Sequence, residues 1–225
     1  AARRALRRLG SRRLGTRQAP VLFAPELARG LIGHFIAAIR GGALYRKASF
    51  LLDRLDTAVF PDFVTIRERP HLPGALASAP FDNEGVATAD RDLVAGGVLR
   101  GYVLDSYSAR RLGMETTGNA GGTHNLIVEP GALDHEGLLR QLGTGLWVTE
   151  LIGHGVNPVT GDYSRGAAGF WVEDGAPQFP VHEITVAGHL DQMFKGIVAV
   201  GNDVDARGGI RCGSLLLERM TVAGE

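Results

Sequence analysis

Apolar and polar positions follow two patterns along this chain. The stretch "APVLFAP" (19–25) is an apolar run bounded by prolines and reads as a short buried strand. After Pro25 the run "ELARGLIGHFIAAIRGG" stays apolar, without a polar stripe, through Ile39. It ends at Gly41-Gly42, as helices often do, which predicts an internal helix. "ALYRKASFLLDRLDTAVFPDFVTIRERP" carries short apolar runs broken by Pro61 and Pro70, so it predicts a loop, a short helix and then a strand over "FVTIRE". From Pro80 onward, β-rich runs such as "GVLRGYVLD", "NLIVEP", "GLWVTELI", "GAAGFWVEDG", "PVHEITVAG" and "SLLLERMTVAG" are separated by glycine-rich turns. Helical intervals at 106–113 and 134–143, each closed by glycine, interrupt them, with a third at "LDQMFKG". The predicted fold class is α+β, mainly antiparallel β: a closed or nearly closed β-barrel with peripheral helices.

Length and charge narrow the partners. The 225 residues suffice for one large domain with its own core. Lys+Arg and Asp+Glu balance at 24 each, so no net field draws the chain to nucleic acid or an anionic membrane. Cys212 is the only cysteine, which excludes an internal disulfide framework and fits a reducing cytoplasm. No apolar run approaches the ~18 residues of a membrane span, and "AARRALRRLG" lacks the apolar core of a signal peptide. Residue 1 is Ala and the opening resembles the end of an amphipathic helix. The expectation is that 1–18 close a helix from a missing N-terminal domain and 19–225 form one continuous domain. Arginines at 3, 4, 7, 8, 12, 13 and 17 make that helix basic. It reads as a phosphate-binding surface or as a solvated face, and no basic or aromatic companion segment supports the former.

Candidate chemistry is scattered. The seven histidines never pair one helical turn apart with a glutamate between them, as a zinc-peptidase helix requires. His34 reads as a core histidine with one nitrogen hydrogen-bonded rather than a ligand, because no carboxylate follows it before Asp53. "TTGNAGGTHN" (116–125), which contains His124 and Asn125, reads as a turn between strands or as a backbone cradle for a phosphate or carboxylate. Asp162, Tyr163, Ser164 and Arg165 form a polar turn that suits either substrate contact or its own hydrogen bonding. Cys212 lies beside Arg211, which would lower the thiol pKa if the two approach; the other reading is a packing cysteine.

Several long blocks, "YRKASFLLD", "LASAPFDNEGVATADRDLVAGGVLRGYVLDSYSARRLG", "TGNAGGTHN", "GTGLWVTELIGHGVNPVTGDYSRGAAGFWVEDG" and "GNDVDARGGIRCGSLLLERMTVAGE", resemble the C-terminal domain of the PmbA/TldE family. The resemblance implies a β pseudo-barrel. It also implies one subunit of a cytoplasmic TldD/TldE heterodimeric zinc peptidase that cleaves unfolded peptides. TldD-type chains carry HExxxH on the helix matching 26–42 and a third ligand near the C-terminus. Here the helix reads "GLIGHFIAAIRGG" and only Cys212 matches. The resemblance therefore implies no metal and no catalytic residue in this chain, with zinc in a TldD-type partner. It also implies a role in completing the substrate channel; the loop residues themselves offer Asp162, Tyr163, Ser164, Arg165, His124 and Asn125 as substrate contacts. Two alternatives are an independent hydrolase pairing Cys212 with His124 or His154, and a DNA- or gyrase-binding modulator.

Overall fold

The computed structural model describes residues 6–224. Five strands close on themselves: β1 (Arg17–Phe23), β6 (Gly145–Ile152), β7 (Asp162–Glu173), β8 (Ala176–His189) and β11 (Leu215–Ala223). β1 pairs parallel with β6 and antiparallel with β11, and the remaining neighbours in this ring are antiparallel. Closure satisfies edges that an open sheet would leave unpaired. β9 (Ile197–Val200) branches from β11. A second sheet has the order β10 (Ile210–Arg211), β5 (Leu126–Val128), β2 (Ile66–Glu68), β3 (Arg91–Ala95), β4 (Val98–Leu99), with only β10–β5 parallel. The expected α+β pseudo-barrel with peripheral helices is present.

The long β7–β8 hairpin follows from its sequence. "EDGA" supplies Asp174 (φ 50) and Gly175 (φ 75) between the paired Glu173 and Ala176, the backbone that two-residue hairpin turns need. Alternation along β1 and β11 sorts side chains onto two cores. Val21, Phe23, Leu215 and Leu217 join the main cluster, whereas Leu22 and Leu216 pack outward with Leu138, Leu139 and Leu142 of the helix α4 (His135–Leu142).

Helix α1 (Pro25–Ala38) starts with proline in its first turn. It buries Ala28, Leu31, Ile32, Phe35 and Ile36, the i, i+3, i+4 stripe of a helix packed on one face. Phe35 meets Phe60 and Phe194 edge-on at 5.0 and 6.0 Å between centroids, tying α1 to α5 (Leu190–Lys195). α2 (Gly41–Tyr45) and α3 (Ser106–Leu112) lie against each other. α3 and α4 are capped by Asp105 and Asp134, whose carboxylates accept from the backbone N–H of Ser108 and Gly137. Among the described residues, no helix is long and apolar enough to cross a membrane.

Two expectations change. The basic helix does not run to residue 17. Residues 7–10 form a turn, Arg12 bridges Val181 of β8, and Arg17 already belongs to β1; residues 1–5 lie outside the described residues. Aromatic faces decide this: Arg7 sits over Trp147 and Phe170, Arg12 over Phe179 and Arg17 over Trp171, at 4.7 to 5.7 Å from the ring centroids. The stretch 162–165 is not a loop but the first residues of β7, because Tyr163 to Arg165 pair with Gly188 to Val186.

Candidate functional site

Where α1 approaches the start of β7, a cavity of about 220 Å³ opens between four elements. His34 and Ala37 of α1, His154, Val156 and Pro158 of the β6–β7 loop, Arg165 of β7 and Leu190 of α5 line it. The loop is held by backbone contacts. Ser164 N–H donates to the Gly155 carbonyl at 2.7 Å, Val156 bridges Tyr163, and Leu190 N–H donates to the Gly161 carbonyl at 2.7 Å. A Cβ on Gly155 would run into the Ser164 carbonyl oxygen, so only glycine lets the loop lie this close.

The strand period divides the four predicted substrate contacts. Asp162 and Ser164 are exposed, and the Asp162 carboxylate accepts from the Thr160 hydroxyl at 2.6 Å. Tyr163 and Arg165 fall on the other face, with Tyr163 1% exposed and edge-on to His34. Neither finds a carboxylate: the Tyr163 hydroxyl bonds to the Arg165 guanidinium, Arg165 Nε is buried without a hydrogen bond, and Arg165 has no carboxylate partner among the described residues. Burial pushes the Tyr163 phenol up to about 12, against the pull of the nearby Arg165 guanidinium. Burial, and secondarily the Arg165 charge, lowers the His34 pKa below its ordinary 6.5. His34 is thus a half-buried, neutral wall of a cavity, and among the described residues it lacks the hydrogen bond expected of a core histidine.

His124 and Asn125 belong elsewhere. The glycine-rich segment 116–125 does cradle carboxylates, but they come from this chain. Asp82 accepts from the N–H groups of Ala120, Val86 and Glu84 at 2.8 to 3.0 Å. Glu68, 2% exposed, accepts from Arg91 Nε at 2.7 Å, Asn119 Nδ2 at 2.8 Å and His124 N–H at 2.7 Å. Asn125, 1% exposed, is spent on Arg69, Ser78 and Ala77. The sequence reading missed this network, although charges placed inside the strand-like "FVTIRE" and "DRDLVA" signalled it. It also missed a cavity of about 620 Å³ over Trp147 and Phe170, cross-strand partners whose rings lie 5.2 Å apart.

Cys212 is fully buried, in the main core with Leu31, Ile32 and Phe35, and its S–H donates to the Gly213 carbonyl at 3.2 Å. Burial first, and Asp203 second, raise the thiol pKa, opposite to the lowering expected from Arg211. Helix α1 packs against β10, which ends just before Cys212, and the cysteine shares the main apolar cluster with Leu31, Ile32 and Phe35 of that helix.

Among the described residues no three His, Cys, Asp or Glu side chains converge as metal ligands. α1 offers only Glu26 and His34, and Arg165 sets a cation beside the latter. A catalytic zinc asks for about three protein ligands and an open position, and these residues do not fit it.

Known proteins resemble the whole chain. The family model of the PmbA/TldA metallopeptidase C-terminal domain matches residues 16–224. Metalloprotease PmbA of Escherichia coli O157:H7 is 55% identical over 224 residues, covering 100% of this chain and 50% of that protein. A Metalloprotease PmbA homolog of Haemophilus influenzae is 54% identical over 226 residues, covering 99% and 50%. The chain spans about half the length of these curated relatives. A crystal structure from Bacteroides thetaiotaomicron, described as a candidate modulator of DNA gyrase, superposes with a TM-score of 0.95 at 35% identity, covering 100% of this chain and 51% of that one. TldE from Thermococcus kodakarensis shares the fold at TM-score 0.86 and 23% identity, covering 100% and 54%.

Proposed function

The chain belongs to the PmbA/TldA metallopeptidase family through its C-terminal domain, and from that premise we propose that it works as the metal-free, TldE-type half of a heterodimeric zinc peptidase. The single observation that carries this reading is the composition of α1. Where a TldD-type helix would present two histidines and a glutamate, Leu31, Ile32, Phe35 and Ile36 are buried in the core and His34 stands alone. Zinc then resides in a TldD-type partner, and the chain completes the substrate channel and supports the catalytic subunit. The complex cleaves unfolded peptides in the cytoplasm, where a lone reduced cysteine is stable.

Binding of an unfolded peptide needs main-chain partners more than side-chain pockets. The barrel is closed and the outer edge of β4 is already bonded to 56–58, so strand addition falls to the terminal strands β9 and β10. Arg165 is the site residue retained as a substrate contact, with the buried Tyr163 beside it as support. Asp162, Ser164, His124 and Asn125 are engaged elsewhere or face away from the cavity and drop to supporting roles. An independent cysteine hydrolase is disfavoured by the raised pKa and complete burial of Cys212. A phosphate-binding arm is disfavoured because Arg7, Arg12 and Arg17 already sit on aromatic rings and Arg8 pairs with Glu150.

The test is to purify the chain alone and together with a TldD-type subunit, then measure zinc by metal analysis and cleavage of an unfolded peptide. Zinc and turnover are expected only in the mixture. Stoichiometric zinc with turnover in the isolated chain defeats the proposal.

A further inference from the structure

The cavity beside His34 contains an unexplained cation. Arg165 has no carboxylate partner among the described residues and its Nε is buried without a hydrogen bond, while the buried Tyr163 hydroxyl bonds to the same guanidinium and brings no negative charge. A half-buried guanidinium is costly to keep in a folded domain without a counter-charge. Ala37, Val156, Pro158 and Leu190 make the rest of the lining apolar apart from His34 and His154. We propose that this cavity binds a carboxylate borne on a small apolar group, with Arg165 as its ion-pair partner and Tyr163 as the neutral neighbour of that guanidinium, and that the carboxylate is the free C-terminus of a peptide.

Size, charge and shape select this ligand. A volume of about 220 Å³ lies below the roughly 300–1,000 Å³ of ordinary small-molecule sites, so it admits one terminal residue and little more. A guanidinium presents parallel N–H groups that match the two oxygens of a carboxylate. A phosphate dianion would leave charge unanswered by one arginine and would face apolar walls with its remaining oxygens. A cation is repelled by Arg165. The carboxylate chemistry stands on the cavity alone; a peptide terminus as its source rests on the peptidase-subunit reading.

The probes are N-acetyl-leucine, N-acetyl-leucine amide and inorganic phosphate, titrated into the isolated chain by calorimetry and followed by NMR shifts of the His34 ring. N-acetyl-leucine should bind saturably and shift His34, while the amide and phosphate should not bind in the same range. Arg165→Met should weaken N-acetyl-leucine at least tenfold. Ala37→Phe, which fills the cavity from an exposed helix position and leaves Arg165 in place, should do the same and decides the matter if Arg165→Met does not fold. Equal binding of the amide or of phosphate, no saturable binding, or unchanged affinity in the folded variants overturns the site. A leucine-ending heptapeptide should displace N-acetyl-leucine when its C-terminus is free and fail when it is amidated; no displacement by the free form overturns the peptide assignment. None of these readouts involves zinc or turnover, so failure here leaves the subunit proposal standing, and failure of that proposal leaves carboxylate binding measurable.

Discussion

The Tyr163 ring stands edge-on to His34, with centroids 6.1 Å apart and planes at 74°. That contact joins the one histidine of α1 to the first buried residue of β7 and places both beside the Arg165 cation. The imidazole is held in its neutral form by burial first and by Arg165 second.

A pH dependence follows from that depressed value. Below about 6.5 the unfolded chain binds the His34 proton before the folded one does, so this residue's contribution to stability is present above that pH and is lost as pH falls toward the lower folded value. The groups facing it are Arg165 from β7 and His154 from the β6–β7 loop, and neither supplies a negative charge that would reverse the sign. Urea unfolding of the wild type and of His34→Leu at pH 8, 7, 6 and 5.5 should show the difference moving in the variant's favour with acidification. A wild type that gains on the variant in acid contradicts the assignment.

The Glu68–Arg91 pair should be the most sensitive electrostatic point in the domain. Glu68→Gln leaves the Arg91 guanidinium, 2.7 Å from it and largely buried, without its counter-charge. Breaking a buried pair from one side costs about 3–5 kcal/mol. Asp56→Asn removes a partner of Arg100 at 3.0 Å, but both side chains are at least half exposed, so the cost should stay under about 1 kcal/mol. Denaturant midpoints of the two variants give the comparison, and similar losses would contradict the ranking.

Asp82 tests the same loop from the other side. Burial alone would raise this carboxyl, but the backbone N–H groups of Ala120, Val86 and Glu84 hold it below the usual range. A depressed folded pKa means stability present above the unfolded value near 3.9 and lost as pH falls through the folded one. Asp82→Asn should therefore cost roughly 1–3 kcal/mol at neutral pH and flatten the acid limb of the stability curve. An acid limb unchanged by the substitution assigns that limb to other groups.

Much of this architecture was legible because local signals agreed with the global fold. β1, α1, the "EDGA" hairpin and the three glycine-closed helices all carry their own start and stop chemistry. The second sheet was less legible because its strands are two to five residues long, too short for a period to declare itself; "FVTIRE" contributes only Ile66–Glu68. Asp162–Arg165 reads as a turn because four polar side chains in sequence mimic one; cross-strand pairing with 186–189 overrides it. The Glu68 network joins residues 23 to 56 positions apart, a pairing no local window contains.

Cys212 should behave as a core residue. At 0% exposure, with its thiol pKa raised by burial, it should resist iodoacetamide in the native protein and react at once in urea. Cys212→Ala should cost on the order of 1 kcal/mol through the space it leaves. Peptide cleavage by the complex proposed above should not change. Fast native alkylation, or loss of turnover in a folded variant, would give the thiol a chemical role.

Two glycine substitutions should act in opposite directions. Gly30 sits inside α1 with ordinary helical backbone, is exposed, and a Cβ there would meet nothing within 4 Å. Gly30→Ala should stabilise the domain by about 0.5–1 kcal/mol, because the unfolded chain loses freedom and the helix loses a poor former. At Gly155 the added methyl would collide with the Ser164 carbonyl oxygen, and the backbone, unlike a side-chain tip, cannot rotate away. The loop must then lift from β7, breaking the Ser164 N–H to Gly155 bond and carrying His154 and Val156 off the cavity wall. Gly155→Ala should lower the thermal midpoint, expose the Ser164 amide to hydrogen exchange and shift the His34 ring resonances, while Gly30→Ala raises the midpoint and leaves both signals in place. A Gly155→Ala protein with unchanged Ser164 protection would mean that the loop is not anchored by this contact.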